Sequence, residues 1–153
     1  MSRSPHSAAA PPAALDLVER ARGCLLEACH TPDLCERYRL AHIGALRAAA
    51  AVLAARSTPS PRSRPRSVWQ VLPKVAPELT EWADFFADTA RRRSAFERGA
   101  TEPSAREADD LIRQTETFLG LVLAALGLPM REPLGRWVAP PTLVAPARRS
   151  GRI

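Results

Sequence analysis

The chain has 153 residues, of which 46% are hydrophobic and 25% are charged, a composition that suits one globular domain and leaves no room for a second. The three cysteines are an odd number and predict a reducing compartment without a disulfide framework. The sequence has no run of 18 apolar residues and no hydrophobic leader, so a soluble, cytoplasmic protein without a membrane span is expected. The formal net charge of +6 suggests a polyanion such as nucleic acid as a partner. However, the excess positive charge is concentrated at Arg3 and in residues 56–66 and 129–153, outside the predicted helices.

The first half of the chain predicts a tail followed by two helices. Residues 1–12 are rich in Ser, Ala and Pro and predict a disordered tail. A first helix is expected over Ala13–Cys29. A second is expected to start at Thr31, which can cap a helix, with Pro32 at its first position, and to run to about Ala55.

The second predicted helix is apolar on two sides, which is typical of the central helix of a bundle. Small residues around Gly44 would let neighbouring helices approach closely. The first apolar stripe comprises Leu34, Tyr38, Ala41, Ala45, Ala48, Val52 and Ala55, and the second comprises Ile43, Leu46, Ala50 and Leu53.

The second half predicts a Pro-rich loop and three further helical segments. The loop is followed by a short helical piece at Ser67–Leu72, a helix over Pro77–Arg98 that ends at Gly99, and a helix over Ala105–Leu126 that ends at Gly127. Ser104 and Glu107 fit a capping box, in which each side chain accepts a hydrogen bond from the other residue's backbone amide. Residues 129–153 predict a basic, Pro-rich, disordered tail. The predicted fold is all-α: an up-and-down bundle of four main helices plus one short helix, within residues 13–128.

Arg37 and His42 form an R-x4-H pattern in the second helix. An imidazole that moves protons and a guanidinium that holds a phosphate could cleave RNA without a metal. Five residues turn an α-helix by about 500°, so the two side chains point roughly 140° apart unless a kink or a second subunit brings them together. Arg39, by contrast, shares a helix face with His42. The alternative interpretation is that His42 ends the apolar stripe with a hydrogen bond and that Arg37 and Arg39 are solvated.

Two acidic pairs suggest a second chemistry. Glu78 with Glu81 and Glu107 with Asp110 are each three residues apart, so each pair lies on one helix face. Facing carboxylate pairs could hold magnesium ions that grip a nucleotide phosphate chain. This pattern resembles the motif of the all-α nucleotide pyrophosphohydrolases of the MazG kind. Glu78 and Glu107 also lie in first helical turns, where the helix dipole favours acids without any metal.

The combination of segments resembles the actinobacterial branch of the HEPN domains (higher eukaryotes and prokaryotes nucleotide-binding). The resemblance covers roughly residues 13–128 and rests on Tyr38-x-x-Ala41-His42, Ala45-Leu46-Arg47-Ala48-Ala49-Ala50-Ala51-Val52-Leu53, Ser67-Val-Trp69, Ala76-Pro-Glu-Leu79, Glu81-Trp-Ala83 and Arg106-Glu-Ala-Asp-Asp-Leu111. It implies an α-helical bundle, often dimeric, in a superfamily of toxin ribonucleases, partners of nucleotidyltransferases and members without demonstrated catalysis.

The resemblance also implies which residues would carry a function. The superfamily's ribonuclease motif can only correspond to Arg37 and His42, because no His follows residue 42. Tyr38 replaces the usual small polar residue, and the pair lies earlier in the domain than the catalytic motif does. We therefore expect a non-catalytic, cofactor-free homodimer that binds RNA, a nucleotide or a protein partner, with Tyr38, Arg39 and Arg47 as binding residues. The alternatives are a ribonuclease using Arg37 and His42, and a magnesium-dependent hydrolase using Glu78, Glu81, Glu107 and Asp110.

Overall fold

The structure is a computed structural model that describes residues 9–57 and 66–136, except for the side chain of Arg136. Its helices are α1 (Pro12–His30), α2 (Leu34–Arg56), α3 (Val68–Val75), α4 (Thr80–Glu97) and α5 (Ala105–Ala125), with 3-10 turns at Pro77–Leu79 and Leu134–Arg136. No strand occurs in these residues, so the predicted all-α class is confirmed. In the part of the chain that the structure describes, no helix is both long and apolar enough to cross a membrane.

Helix α2 is the central element, as its two apolar stripes predict. It packs against α1 and α5 on one side and against α3 and α4 on the other. The contact with α1 is close because Gly44 presents no side chain: a Cβ there would lie 3.3 Å from the Ala21 carbonyl oxygen and 3.4 Å from Leu25 Cγ. The α1–α2 side of the core is therefore built mainly from small residues.

Aromatic rings fill the opposite side of the core. The Phe86 ring of α4 lies 5.0 Å, centroid to centroid, from both Trp69 of α3 and Phe118 of α5. Phe86 and Phe118 are fully buried, and Trp82 stacks on the same cluster. Each ring buries a large apolar area, so the short helix α3 is held to the bundle by Trp69 and Leu72.

Three predicted helix ends differ from the observed ones. Helix α2 is capped by Asp33 and not by Thr31: the Asp33 carboxylate accepts a hydrogen bond from the Glu36 amide at 2.8 Å. Thr31 instead follows the end of α1, where its hydroxyl donates to the Glu27 carbonyl oxygen. The predicted helix over residues 77–98 begins as a 3-10 turn, and α4 starts only at Thr80. Helix α3 continues beyond the predicted end, through Pro73 to Val75.

The predicted tails and the basic loop lie largely outside the described residues. Residues 1–8, 58–65 and 137–153 belong to this part of the chain. Within the predicted C-terminal tail, Leu134 is buried, and its amide donates to Glu116 Oε1 at 2.7 Å. The first residues after α5 therefore return along the bundle.

The start of α5 provides a test of local helix stability. Ser104 Oγ accepts from the Glu107 amide at 3.0 Å, which is the first half of the predicted capping box, whereas the Glu107 carboxylate pairs with Arg92. Ser104→Ala leaves that amide without its side-chain partner and is expected to lower the free energy of unfolding by about 1 kcal/mol, measured by urea denaturation. Thr101→Ala, at an exposed position outside the helices, is the control. Equal losses in the two variants would contradict the cap.

Candidate functional site

His42 lies in the core between α2, α3 and α4. Its side chain is 1% exposed, and its Nδ1 atom is 2.9 Å from Thr89 Oγ1. Its ring packs edge-on against Trp69 and Phe86. Burial is the main cause, and the nearby positive charge of Arg93 a smaller one, of a pKa of His42 that is lowered to about 4. The imidazole is therefore neutral at pH 7.

Arg37 is held at a different side of α2. Its Nε atom donates to the Thr31 carbonyl at 2.9 Å, and its Nη1 atom donates to Asp109 Oδ1 of α5 at 2.8 Å. Its partners therefore belong to the α1–α2 turn and α5, whereas the neighbours of His42 belong to α3 and α4. The structure does not bring Arg37 and His42 together at one site in the monomer.

The three residues expected to bind a ligand also lie apart. Arg39 pairs with Glu36 one turn earlier in α2, and Arg47 Nη1 donates to Cys24 Sγ of α1 at 3.0 Å. Tyr38 is buried, and its ring packs edge-on against Phe96 with centroids 4.9 Å apart. Of the three, only Tyr38 lines the large groove between α4 and α5.

The acidic pairs are separated by the length of α5. Glu78 lies near the C-terminal end of α5, because Arg56 binds both Glu78, at 2.6 Å, and the carbonyl oxygen of Ala125. Glu107 lies in the first turn of α5 and pairs with Arg92. The rise of an α-helix puts roughly 27 Å between residues 107 and 125. Asp110 pairs with Arg113, and Glu81 is exposed. Among the described residues, no three acidic, His or Cys side chains converge as metal ligands.

A groove of about 600 Å³ lies between α4 and α5 and is called here the α4–α5 groove. The two helices run antiparallel, since Trp82 of α4 meets Phe118 of α5 and Arg92 of α4 meets Glu107 of α5. Between these contacts the groove has a mostly apolar floor that consists of Tyr38, Phe85 and Leu111. Phe85 is 38% exposed, so part of its ring contributes apolar surface to the groove.

The charges at the groove rim are already paired. Arg92 binds Glu107, Arg106 lies 3.8 Å from Asp110, and Asp88 binds Arg91. Burial raises the pKa of Tyr38 to about 12, and the negative charge of Glu107 also raises it, so the phenol is uncharged at pH 7. The groove therefore offers apolar area and a neutral hydroxyl within a rim of both signs.

The sequence identified Tyr38 as a binding residue, and Glu107 and Asp110 as candidate metal ligands, but it did not single out the other groove residues. Phe85, Leu111 and Gln114 fit an ordinary helical pattern, and nothing in that pattern shows that α4 and α5 stand apart. The one available signal was Phe85 next to Phe86: adjacent helical positions point about 100° apart, so both cannot face the same core.

Comparisons with known proteins identify a family and no individual relative. A family model described as SAV_6107-like HEPN matches residues 28–123, which is more than half of the chain and spans α2 to α5. Neither the curated proteins nor the solved structures include a significant match. The family match agrees with the all-α bundle and with the resemblance carried by the α2 segment. The chain belongs to the SAV_6107-like HEPN family.

Proposed function

We propose that this HEPN-like module is a non-catalytic protein-binding domain that pairs with a second copy of itself through the α4–α5 groove. The observation that carries the proposal is the groove itself, an apolar strip with an exposed Phe85 and with both charge signs on its rim.

The placement of Arg37 and His42 favours a non-catalytic role. A general acid or base must exchange a proton with the substrate, and efficient catalysis needs a pKa near the working pH. His42 is buried beside Thr89, and its pKa is about 4. Arg37, which would have to hold the phosphate, is engaged by Asp109. In a single chain, neither group is arranged to act on a common phosphodiester.

The distribution of charge favours a protein over RNA as the partner. The described residues contain 16 Asp and Glu side chains and 16 Lys and Arg side chains, so the bundle has no formal net charge. The excess of six arginines lies entirely outside these residues. RNA binding depends on basic groups that neutralise phosphates, and the groove arginines are already paired with acids.

The rim of the groove suits a second copy of the chain. A two-fold interface brings the same patch of both subunits together, so a patch with both signs can place its own acids opposite its own arginines. Asp88 and Arg106 provide such groups around Phe85, provided that their exposed salt bridges with Arg91 and Asp110 are exchanged for bonds to the second copy. An apolar centre with a polar rim is the usual anatomy of a protein interface.

Phe85→Glu tests the proposed interface. A carboxylate at the centre of the groove would be buried next to Asp88, so the variant is expected to be monomeric where the wild type is a dimer by light scattering after size exclusion. The matched control is Leu121→Glu, which changes a residue of similar exposure, 41%, that does not line the groove. A monomeric wild type at all concentrations, or a dimer that only the control disrupts, would contradict the proposal.

A ribonuclease assay tests the non-catalytic part. Purified protein incubated with total RNA in EDTA is expected to leave the RNA intact, and His42→Ala is expected to behave in the same way. Cleavage by the wild type that His42→Ala abolishes would replace the binding proposal with the ribonuclease alternative.

A further inference from the structure

The chain reverses direction after α5 and returns along the bundle. Gly127, just after α5, has a φ angle of +68°, and residues 128–136, called here the C-terminal strap, follow it. Leu134 of the strap is buried, and its amide donates to Glu116 Oε1 of α5 at 2.7 Å. The strap is therefore fixed to the bundle close to the point at which the described chain ends.

Two contacts with α1 give the direction of the strap. Arg131 of the strap binds Glu19, and the Arg22 side chain donates to the carbonyl oxygen of Glu132 at 3.1 Å. Consecutive residues of the strap thus meet residues that lie about one turn apart in α1. The strap consequently runs in the same direction as α1, towards His30 at the end of that helix.

A cavity of about 500 Å³ lies beside the strap and is called here the α1–strap cavity. It is lined by Arg22, Leu26 and His30 of α1 and by Arg131 and Glu132 of the strap. The three α1 residues are spaced by four, so they form one stripe on the helix. Leu26 is half-buried and packs against the core, and both guanidinium groups already have oxygen partners. The cavity therefore suits an apolar or aromatic group better than an anion.

The next residue along the chain is a tryptophan, Trp137, which lies outside the described residues. The stripe from Arg22 to His30 is about 12 Å long. Beyond Glu132, which is bound at Arg22, two extended residues and the 3-10 turn Leu134–Arg136 extend up to roughly 13 Å. Trp137 is therefore within reach of the His30 end of the cavity.

We propose that the indole of Trp137 occupies the α1–strap cavity and extends the strap over the last two turns of α1. Its rings pack on Leu26 and on the apolar stem of Arg22, and a guanidinium group is attracted to the face of an indole. The occupant of this surface is thus the chain's own C-terminal segment. No residue of the α4–α5 groove lines the cavity, so the inference does not depend on the proposed dimer.

NMR spectroscopy of the full-length protein tests the proposal. The indole N–H resonance of Trp137 is assigned by its loss in Trp137→Phe. The ring protons of Trp137 are expected to show NOEs to the Leu26 methyl groups, and the ring current is expected to shift those methyl resonances upfield. Trp137→Ala is expected to remove this shift and to leave the methyl resonances of Leu15, an exposed α1 residue outside the cavity, in place. The same NOEs are expected in Phe85→Glu, whatever the outcome for the proposed dimer.

Substitutions in α1 locate the docking. Leu26→Ala removes most of the apolar floor and is expected to lower the NMR order parameter of the Trp137 indole. Leu17→Ala is the matched control, because Leu17 is also a half-buried leucine of α1 packed against the core but does not line the cavity. Circular dichroism of both variants checks that the helices are retained.

Three results would overturn the proposal. The first is the absence of NOEs between Trp137 and Leu26 in the wild type, and the second is an equal loss of order in the Leu26→Ala and Leu17→Ala variants. The third is a set of NOEs that connects only different molecules in a mixture of labelled and unlabelled chains, since the cavity would then hold the tryptophan of a second copy.

Discussion

Lowering the pH from 7 to 4 is expected to reduce the free energy of unfolding by about 3 kcal/mol through His42 alone. The pKa of this imidazole is about 4 in the folded chain and 6.5 in an unfolded one. The unfolded state therefore binds the proton more tightly, and stability falls as the pH drops from 6.5 towards 4. The folded-state imidazole is half protonated at its pKa of about 4, so the loss from this group levels off about one pH unit lower. Urea denaturation at intervals between pH 7 and 4 measures the loss.

Two variants separate His42 from the carboxylates that titrate near pH 4. His42→Gln removes the imidazole and is expected to flatten the stability profile between pH 6.5 and 4.5, whatever its effect at pH 7. His30→Gln removes the exposed imidazole at the end of α1 and is the matched control. A profile that keeps its full slope in His42→Gln would show that the buried imidazole is not the source.

Gly44→Leu is expected to lower the free energy of unfolding by about 3 kcal/mol. Even a single Cβ at this position would lie 3.3 Å from the Ala21 carbonyl oxygen and 3.6 Å from Cys24 Cβ, and both atoms are fixed in α1. A leucine could fit only if α1 moved away from α2, which would open the tightest part of the core. Thermal and urea denaturation monitored by circular dichroism measure the loss.

Gly23 offers the contrasting case within α1. An added Cβ there would meet nothing within 4 Å, so Gly23→Ala is expected to raise the free energy of unfolding by about 0.5–1 kcal/mol through helix propensity. Equal destabilisation by Gly23→Leu and Gly44→Leu would show that the cost does not come from the close α1–α2 contact at Gly44.

The helices could be predicted from the sequence because each depends on signals close along the chain. The four-and-three spacing of apolar residues gives α2, and its central position follows from having two such stripes. Gly99 and Gly127, predicted to end two helices, have φ angles of +70° and +68°, which glycine adopts at little cost. The starts of α2 and α4 were predicted wrongly at Thr31 and Pro77. Several residues near each of these positions can begin a helix, so the local sequence does not decide which one does.

The candidate site could not be predicted because its determinants are distant in sequence. The hydrogen-bond partner of His42 is Thr89, 47 residues away, and the carboxylate partner of Arg37 is Asp109, 72 residues away. A spacing of five residues says nothing about such partners. The α4–α5 groove could not be predicted either, because it is the space between two helices. The apolar pattern of each helix does not show how far apart the two helices lie.

Arg56 links three parts of the chain at the opposite end of α5 from the Arg92–Glu107 pair. Its guanidinium donates to the carbonyl oxygens of Val75 and Ala125 and to the carboxylate of Glu78. One side chain thus clamps the last turn of α5 to the segment from which α4 departs. Arg56 does not line the α4–α5 groove, so a substitution there could loosen one end of α5 without removing any groove residue.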